Sequence, residues 1–324
     1  ALVAGPGALG CSKKGPAVVK SAERPTTDDD IDREPFALLP GNAVLVGRLD
    51  AHALFASSLG PKVQHVVESL VPIGAAAGFV AERDLESVIG AAYSMQGADA
   101  AFVARGTFDP AAFEAAVAKG TPGPYGSPWV KSQHAGRAVY TANDVAFAPL
   151  TRKTALAGTN TGLRRALDRL RFGAPKIELP AWAAEVSTAG TPLAVAGEWG
   201  DQPVAAAIVD RAPFLSGVRA LHLTGNFDRP GLNLDGQLTY PTAEGAGDAE
   251  SRLRSMGQLA SLASIIGLSP VHDLRSEAKA EKVHVAVSVD GPYLGRWLDV
   301  LPTLVPAMLP SAPTPTPASA RNPG

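Results

Sequence analysis

Apolar and polar positions along this chain follow two periods, and the shorter one is clearest between residues 220 and 240. Leu221, Leu223 and Phe227 alternate with His222, Thr224 and Asn226. After Asp228-Arg229-Pro230-Gly231, Leu232, Leu234, Leu238 and Tyr240 alternate with Asn233, Asp235, Gln237 and Thr239. Two alternating arms around a Pro-Gly turn predict an antiparallel hairpin with one buried face. Helical periods occur elsewhere. Asp109-Pro110 leads into Ala111 to Lys119, a cap and an N1 proline opening a short helix. From Gly247 to Ile266, Leu253, Met256, Leu259, Leu262 and Ile266 form one stripe, predicting a long helix over the second sheet.

An internal echo organises the body. Leu163, Arg165, Leu167, Asp168 and Leu170 recur as Leu294, Arg296, Leu298, Asp299 and Leu301, at a constant offset of 131. Each segment follows an apolar strand-like run, Thr154 to Gly158 or Val283 to Val289, and each begins at a capping residue, Thr159 or Asp290. Ala166 and Trp297 occupy matching positions, so the second stripe is bulkier. A further echo, Gly106-Thr107-Phe108-Asp109 against Gly225-Asn226-Phe227-Asp228, has an offset of 119, and the difference implies an insertion in the second half. The expected class is therefore α+β. Two related halves, residues 36–180 and 181–308, each carry an antiparallel sheet covered by helices.

The flanks read differently. Residues 12–35 carry Lys, Pro, Thr and Asp without apolar periodicity and read as a flexible tether. Within them, Asp28-Asp29-Asp30-Ile31-Asp32 lacks the glycine turn and distal glutamate of a calcium loop and reads as a solvated charge run. Residues 309–324 include Pro310-Ser311-Ala312-Pro313-Thr314-Pro315-Thr316-Pro317, the composition of a disordered, extended tail.

Cys11 is the single cysteine of the 324 residues, so no disulfide forms within the chain. It ends the run Ala8-Leu9-Gly10-Cys11, which resembles the lipobox of secreted bacterial lipoproteins. Gly10 and Cys11 match that pattern; Ala8 stands where Leu is commonest and Leu9 where Ala or Ser is usual. The resemblance implies cleavage before Cys11, lipidation of its thiol and export to the cell envelope, with residues 1–11 a partial signal peptide and lipobox. Two or three acyl chains on one cysteine hold a protein stably where one does not. Ser12 is not the Asp that retains lipoproteins at the inner membrane in enterobacterial-type sorting, so outer-membrane residence is expected. The overlapping Gly5-Pro6-Gly7-Ala8-Leu9-Gly10 fits the dinucleotide pattern G-x-G-x-x-G, but Pro16 would stop the helix that motif needs. The stretch from Gly136 to Gly173, with Arg137-Ala138-Val139-Tyr140, Ala146-Phe147-Ala148 and Thr154 to Thr159, resembles segments of an uncharacterised family of exported Gram-negative proteins, a resemblance that brings no activity.

A net charge of -2 gives no basic face for nucleic acid, and 46% hydrophobic residues suffice for a sizeable core. No run of 18 apolar residues follows Cys11. Candidate chemistry is sparse. His65 and Glu68 share a helix face at i, i+3, a fragment of a metal site without its partner pair. There is no G-x-S-x-G elbow, Ser-x-x-Lys pair or P-loop. No catalytic, cofactor or metal residue is therefore expected. The polar side of the hairpin would gather His222, Asn233, Asp235 and Gln237, with His284 and Ser288 nearby. Such a face is ordinarily just solvated; its sharper reading is a recognition surface for a glycan or an envelope protein. The expected function is a non-enzymatic, lipid-anchored binding or scaffolding module. A hydrolase with a dispersed Ser/His/Asp site and a carrier of apolar ligands are the alternatives, the carrier requiring a cavity between helices and sheet.

Overall fold

Thr27 opens the first helix with a capping box: its hydroxyl accepts from the Asp30 N–H while the Asp30 carboxylate accepts from the Thr27 N–H at 3.0 Å. The computed structural model describes residues 26–70, 73–95, 99–210, 212–265, 269–296 and 298–299. Helices α1 (Asp28–Arg33), α2 (Ala51–Phe55), α3 (Gly60–Leu70), α4 (Ile73–Ala76), α5 (Ala81–Asp84), α6 (Pro110–Ala118) and α7 (Asn160–Asp168) precede α8 (Ala184–Thr188), α9 (Ala206–Val209) and α10 (Ala243–Ile265). Strands β1 (Leu45–Asp50), β2 (Leu85–Ala92), β3 (Ala100–Gly106), β4 (Val130–His134), β5 (Arg137–Ala142), β6 (Val145–Pro149) and β7 (Thr154–Thr159) lie in the first part of the chain. The second part contributes β8 (Leu193–Glu198), β9 (Ala220–Asn226), β10 (Gly231–Thr239), β11 (Val271–Lys279) and β12 (Lys282–Asp290).

The protein is α+β, and its strands form one antiparallel sheet of 12 strands in the order β11-β12-β10-β9-β8-β1-β2-β3-β7-β6-β5-β4. This corrects the expectation of two separate sheets. The β1–β8 pairing joins them, with Val46 opposite Ala196 and Arg48 opposite Ala194. Neither strand could remain an edge without exposing a row of unpaired backbone groups. Tight connections fix register locally. Ala135 (φ 50°) and Gly136 (φ 73°) turn β4 into β5 with the left-handed pair that suits strand twist.

Local signals placed several elements. Asp109 caps α6 by accepting from the Ala111 and Ala112 N–H groups, both at 3.0 Å. Thr159 caps α7 by accepting from the Gly162 N–H at 3.2 Å, and Leu163, Leu167 and Leu170 are buried along one stripe. Residues 291–296, following β12, are helical as well. The hairpin forms as β9 and β10, with His222 opposite Gln237 and Asn226 opposite Asn233.

Other expectations need correction. Residues 26–35, read as tether, belong to the body: Ile31 is fully buried in the main core. The acidic run is solvated only at Asp28 and Asp29: the Asp32 carboxylate accepts from Thr151 at 2.6 Å and Thr154 at 2.7 Å, and Asp30 is buried. The leucine stripe of α10 is only partly a core stripe. Ala246, Ala249 and Leu253 are buried, whereas Met256 is 40% and Leu259 67% exposed. The inward face continues from Leu253 to Gly257, which lies against Leu274, so Met256 and Leu259 fall beside that face rather than on it. The Gly106 to Asp109 echo ends β3, but its counterpart ends β9, while the strand beside β12 is β10. Residues 1–25 and 301–324, with Cys11, the glycine pattern and the proline-rich segment, lie outside the described residues.

The core is distributed over both faces of the sheet. One face carries Val46, Ile89, Val103 and Leu156, covered by α1, α7 and α8 with Leu163, Leu167 and Val186. On the opposite face, α10 covers Leu238, Val283 and Val285 in the second part, and α2, α3, α5 and α6 cover the first part.

Candidate functional site

The predicted recognition residues do come together. A single row crosses the sheet through Val46, Ala196, His222, Gln237, His284 and Glu277, apolar and buried at its start and polar at its end. Beside it, Asn226, Asn233 and Ser288 make a ladder: Asn233 Nδ2 donates to Asn226 Oδ1 at 2.8 Å, and Ser288 Oγ donates to Asn233 Oδ1 at 2.7 Å. His284 Nε2 lies 3.3 Å from Asp235 Oδ1, and His222 Nε2 lies 3.3 Å from Glu185 Oε2 of α8. The side chains of this face therefore largely satisfy one another. His65, on α3, is not brought to a metal constellation: Glu68 accepts from Gln64 Nε2 at 2.6 Å, and the described residues contain no group of three or more His, Cys, Asp or Glu placed to hold a metal.

The opposite face holds a feature that the sequence reading did not locate. Between β2, β3, β6 and β7 on one side and α3, α4 and α6 on the other lies a cleft of about 280 Å³. Val67, Leu85, Val88, Phe108, Phe113 and Phe147 supply its bulky lining. Its existence follows from small residues. Val88 faces Ala104, which faces Ala155, and Phe102 faces Ala157, so the strands offer methyl groups where a filled layer would need branched side chains. Gly74 and Ala77 leave the helical side equally thin.

Phe102 separates this cleft from a second groove. Its ring, 40% exposed, lies over Gly90, where a Cβ would stand 2.6 Å from Phe102 Cδ1. The groove, about 310 Å³, runs along Leu45, Gly47, Leu49, Leu193 and Val195 and shares Val88 and Phe102 with the cleft. The signal for this site was present in the sequence as Ala100-Ala101-Phe102-Val103-Ala104 and Thr154-Ala155-Leu156-Ala157-Gly158, strand-like runs with alanine where central strands carry Val, Ile or Leu.

No family model matches the chain, and no curated protein does. Solved structures do. The chain shares its overall fold with TP0453. In crystal form III the TM-score is 0.51 at 12% identity, covering 83% of this chain and 98% of that one. In crystal form I it is 0.52 at 10% identity, covering 84% and 97%. At such identity the likeness to TP0453 is one of fold.

Burial shifts two tyrosines of the body. Desolvation pushes the hydroxyls of Tyr93 and Tyr240 well above the ordinary tyrosine range, so both stay neutral. Tyr240 donates to the Phe214 carbonyl at 2.5 Å, while Arg165 stacks over the Tyr93 ring with its Cζ 4.6 Å from the centroid. These are scaffolding roles. Neither tyrosine lines the apolar cleft or the adjoining groove.

Proposed function

We propose that the chain is a non-enzymatic binding module of the bacterial cell envelope, held at a membrane by lipid on Cys11, whose ligand is an apolar molecule seated in the cleft between β2, β3, β6 and β7 and helices α3, α4 and α6. The observation that carries the reading is the cleft's chemistry. Its lining is almost wholly carbon, and a ligand of hydrocarbon character gains about 0.8 kcal/mol for each methylene it withdraws from water there. A polar ligand would forfeit its hydration without hydrogen bonds in return. No histidine lines the cleft or the adjoining groove, so neither offers the base that a serine hydrolase needs beside its substrate.

The polar sheet face is the second place for a partner, and His222, Asn233, Asp235 and Gln237 are its residues. The internal ladder from Asn226 to Ser288 favours the solvated role for it. We also read the body as two versions of one plan. Supporting this, β1-β2-β3-β7 run outward from the joint in one direction and β8-β9-β10-β12 in the other, and a helix follows the third and the last strand of each series.

Titration with the uncharged fluorophore Nile red tests the ligand site. Wild type should bind and enhance the emission, and Ala104→Phe, which fills the cleft from the half-buried middle of β3, should weaken binding at least roughly tenfold. Equal binding by the two proteins, with both folded, would place the ligand elsewhere. Intact-mass analysis of the membrane fraction beside a Cys11→Ser variant tests the anchor; unlipidated, soluble wild type would contradict it.

A further inference from the structure

We propose that the occupant of the apolar cleft is an amphiphile with an anionic head group, and that Arg152 receives the head. This rests on the reading of the cleft as a ligand site and adds the chemistry of the ligand's polar end. Beside the cleft, and sharing Ala77, Phe79, Phe108 and Asp109 with it, lies an annex of about 250 Å³ where Arg83, Asp84, Thr107 and Arg152 stand next to the stacked Phe79 and Phe108 rings. A molecule filling both spaces would have its tail against carbon and its head among charges.

The charged groups of the annex differ in what they already hold. Arg83 Nε and Nη2 each donate to the Asp84 carboxylate at 2.6 Å, and Nη2 also reaches the Gly78 carbonyl at 2.9 Å. Asp84 accepts in addition from the Val80 N–H at 2.7 Å, so this pair is closed on itself. Asp109 is occupied as the cap of α6, where two N–H groups and the positive end of the helix offset its charge. Arg152 is different. Its guanidinium has no hydrogen-bond or ion-pair partner among the described residues, and the nearby Thr107 hydroxyl has none either.

A backbone hydrogen bond holds the Arg152 main chain beside Phe108, at the boundary between cleft and annex. The Arg152 carbonyl accepts from the Phe108 N–H at 2.8 Å, and Phe108 lines both the cleft and the annex. The planar fork of a guanidinium matches the paired oxygens of a carboxylate or phosphate, which makes an anion the complementary head group. Asp84 is bonded on both oxygens by Arg83 and the Val80 N–H, and Asp109 Oδ1 by two N–H groups of α6, whereas the Arg152 guanidinium has no such partner.

The test is isothermal titration of the whole protein with decanoate, decanol and decyltrimethylammonium, which share one tail and differ in head charge. Wild type should bind decanoate roughly tenfold more tightly than decanol and bind the ammonium no better than the alcohol. Arg152→Gln should remove the preference while leaving decanol affinity unchanged, and Arg152→Lys should retain part of it. The Arg152 side chain is exposed and bonds nothing, so the variants keep the fold. Equal affinity for decanoate and decanol in the wild type, or an unchanged preference in Arg152→Gln, overturns the head-group assignment and leaves the cleft reading standing. If none of the three probes binds, both fail.

Discussion

The ring of Phe102 lies directly over Gly90, so close that a methyl group at Gly90 would stand 2.6 Å from Phe102 Cδ1 and 2.7 Å from Cε1. The two residues face each other across β2 and β3, and the absent side chain of one makes room for the other. This pair shapes the ligand site, because Phe102 forms the wall shared by the apolar cleft and the neighbouring groove.

Gly90→Ala therefore has an expected signature. The ring must swing away, and because it is partly exposed the cost to stability should be modest, about 1 kcal/mol. The cleft should change more than the stability. Nile red emission at saturation should shift relative to wild type while the denaturation midpoint moves little; a large loss of stability with unaltered emission would contradict the role given to Phe102.

Thr27 offers a test of where the folded body begins. Its hydroxyl and the Asp30 carboxylate close a capping box on α1, which seats Ile31 in the main core. Thr27→Ala should lower the unfolding free energy by about 1 kcal/mol in chemical denaturation. A residue in a flexible tether would give no change.

Leu163 and Leu259 separate core from surface among leucines that look alike in the sequence. Leu163→Ala, at a fully buried position on α7, should cost roughly 2–5 kcal/mol. Leu259→Ala, on the outward side of α10, should stay within about 0.5 kcal/mol of wild type. Comparable losses at both positions would mean that the outer half of α10 is covered.

Asp84 gives a pH dependence with a defined sign. Hydrogen bonds from Arg83, with help from the Val80 N–H, hold its carboxyl below the ordinary carboxylate range despite burial. A value lower in the folded than in the unfolded state contributes stability above the unfolded value, about 3.9, and that contribution disappears as pH falls through the folded value. Asp84→Asn should thus be less stable than wild type at neutral pH, and the gap should narrow on acidification below roughly pH 3.9. A gap independent of pH would point to lost hydrogen bonds alone.

What the sequence disclosed was local. Asp109-Pro110, the Thr159 cap with its leucine stripe, and the alternation around Asp228 to Gly231 act within a few residues, and each formed where its chemistry pointed. The joining of the sheet did not announce itself, because Val46 and Ala196 meet across about half the chain and nothing in either strand encodes the other. The acidic run does not read as anchored because the partners of Asp32, Thr151 and Thr154, lie more than a hundred residues away. Small residues hid the cleft: Ala104, Ala155 and Ala157 look like unremarkable strand positions until the helices above them are in place.

The central claim, that an apolar molecule occupies the cleft beneath α3, α4 and α6, is tested most directly by methyl resonances followed during a decanol titration. The account predicts concentration-dependent shifts at Val67, Leu85 and Val88, with Leu253 on α10 and Leu238 and Val283 beneath it unmoved. Shifts centred on the α10 core, or none at any methyl group while the protein stays folded, would contradict it.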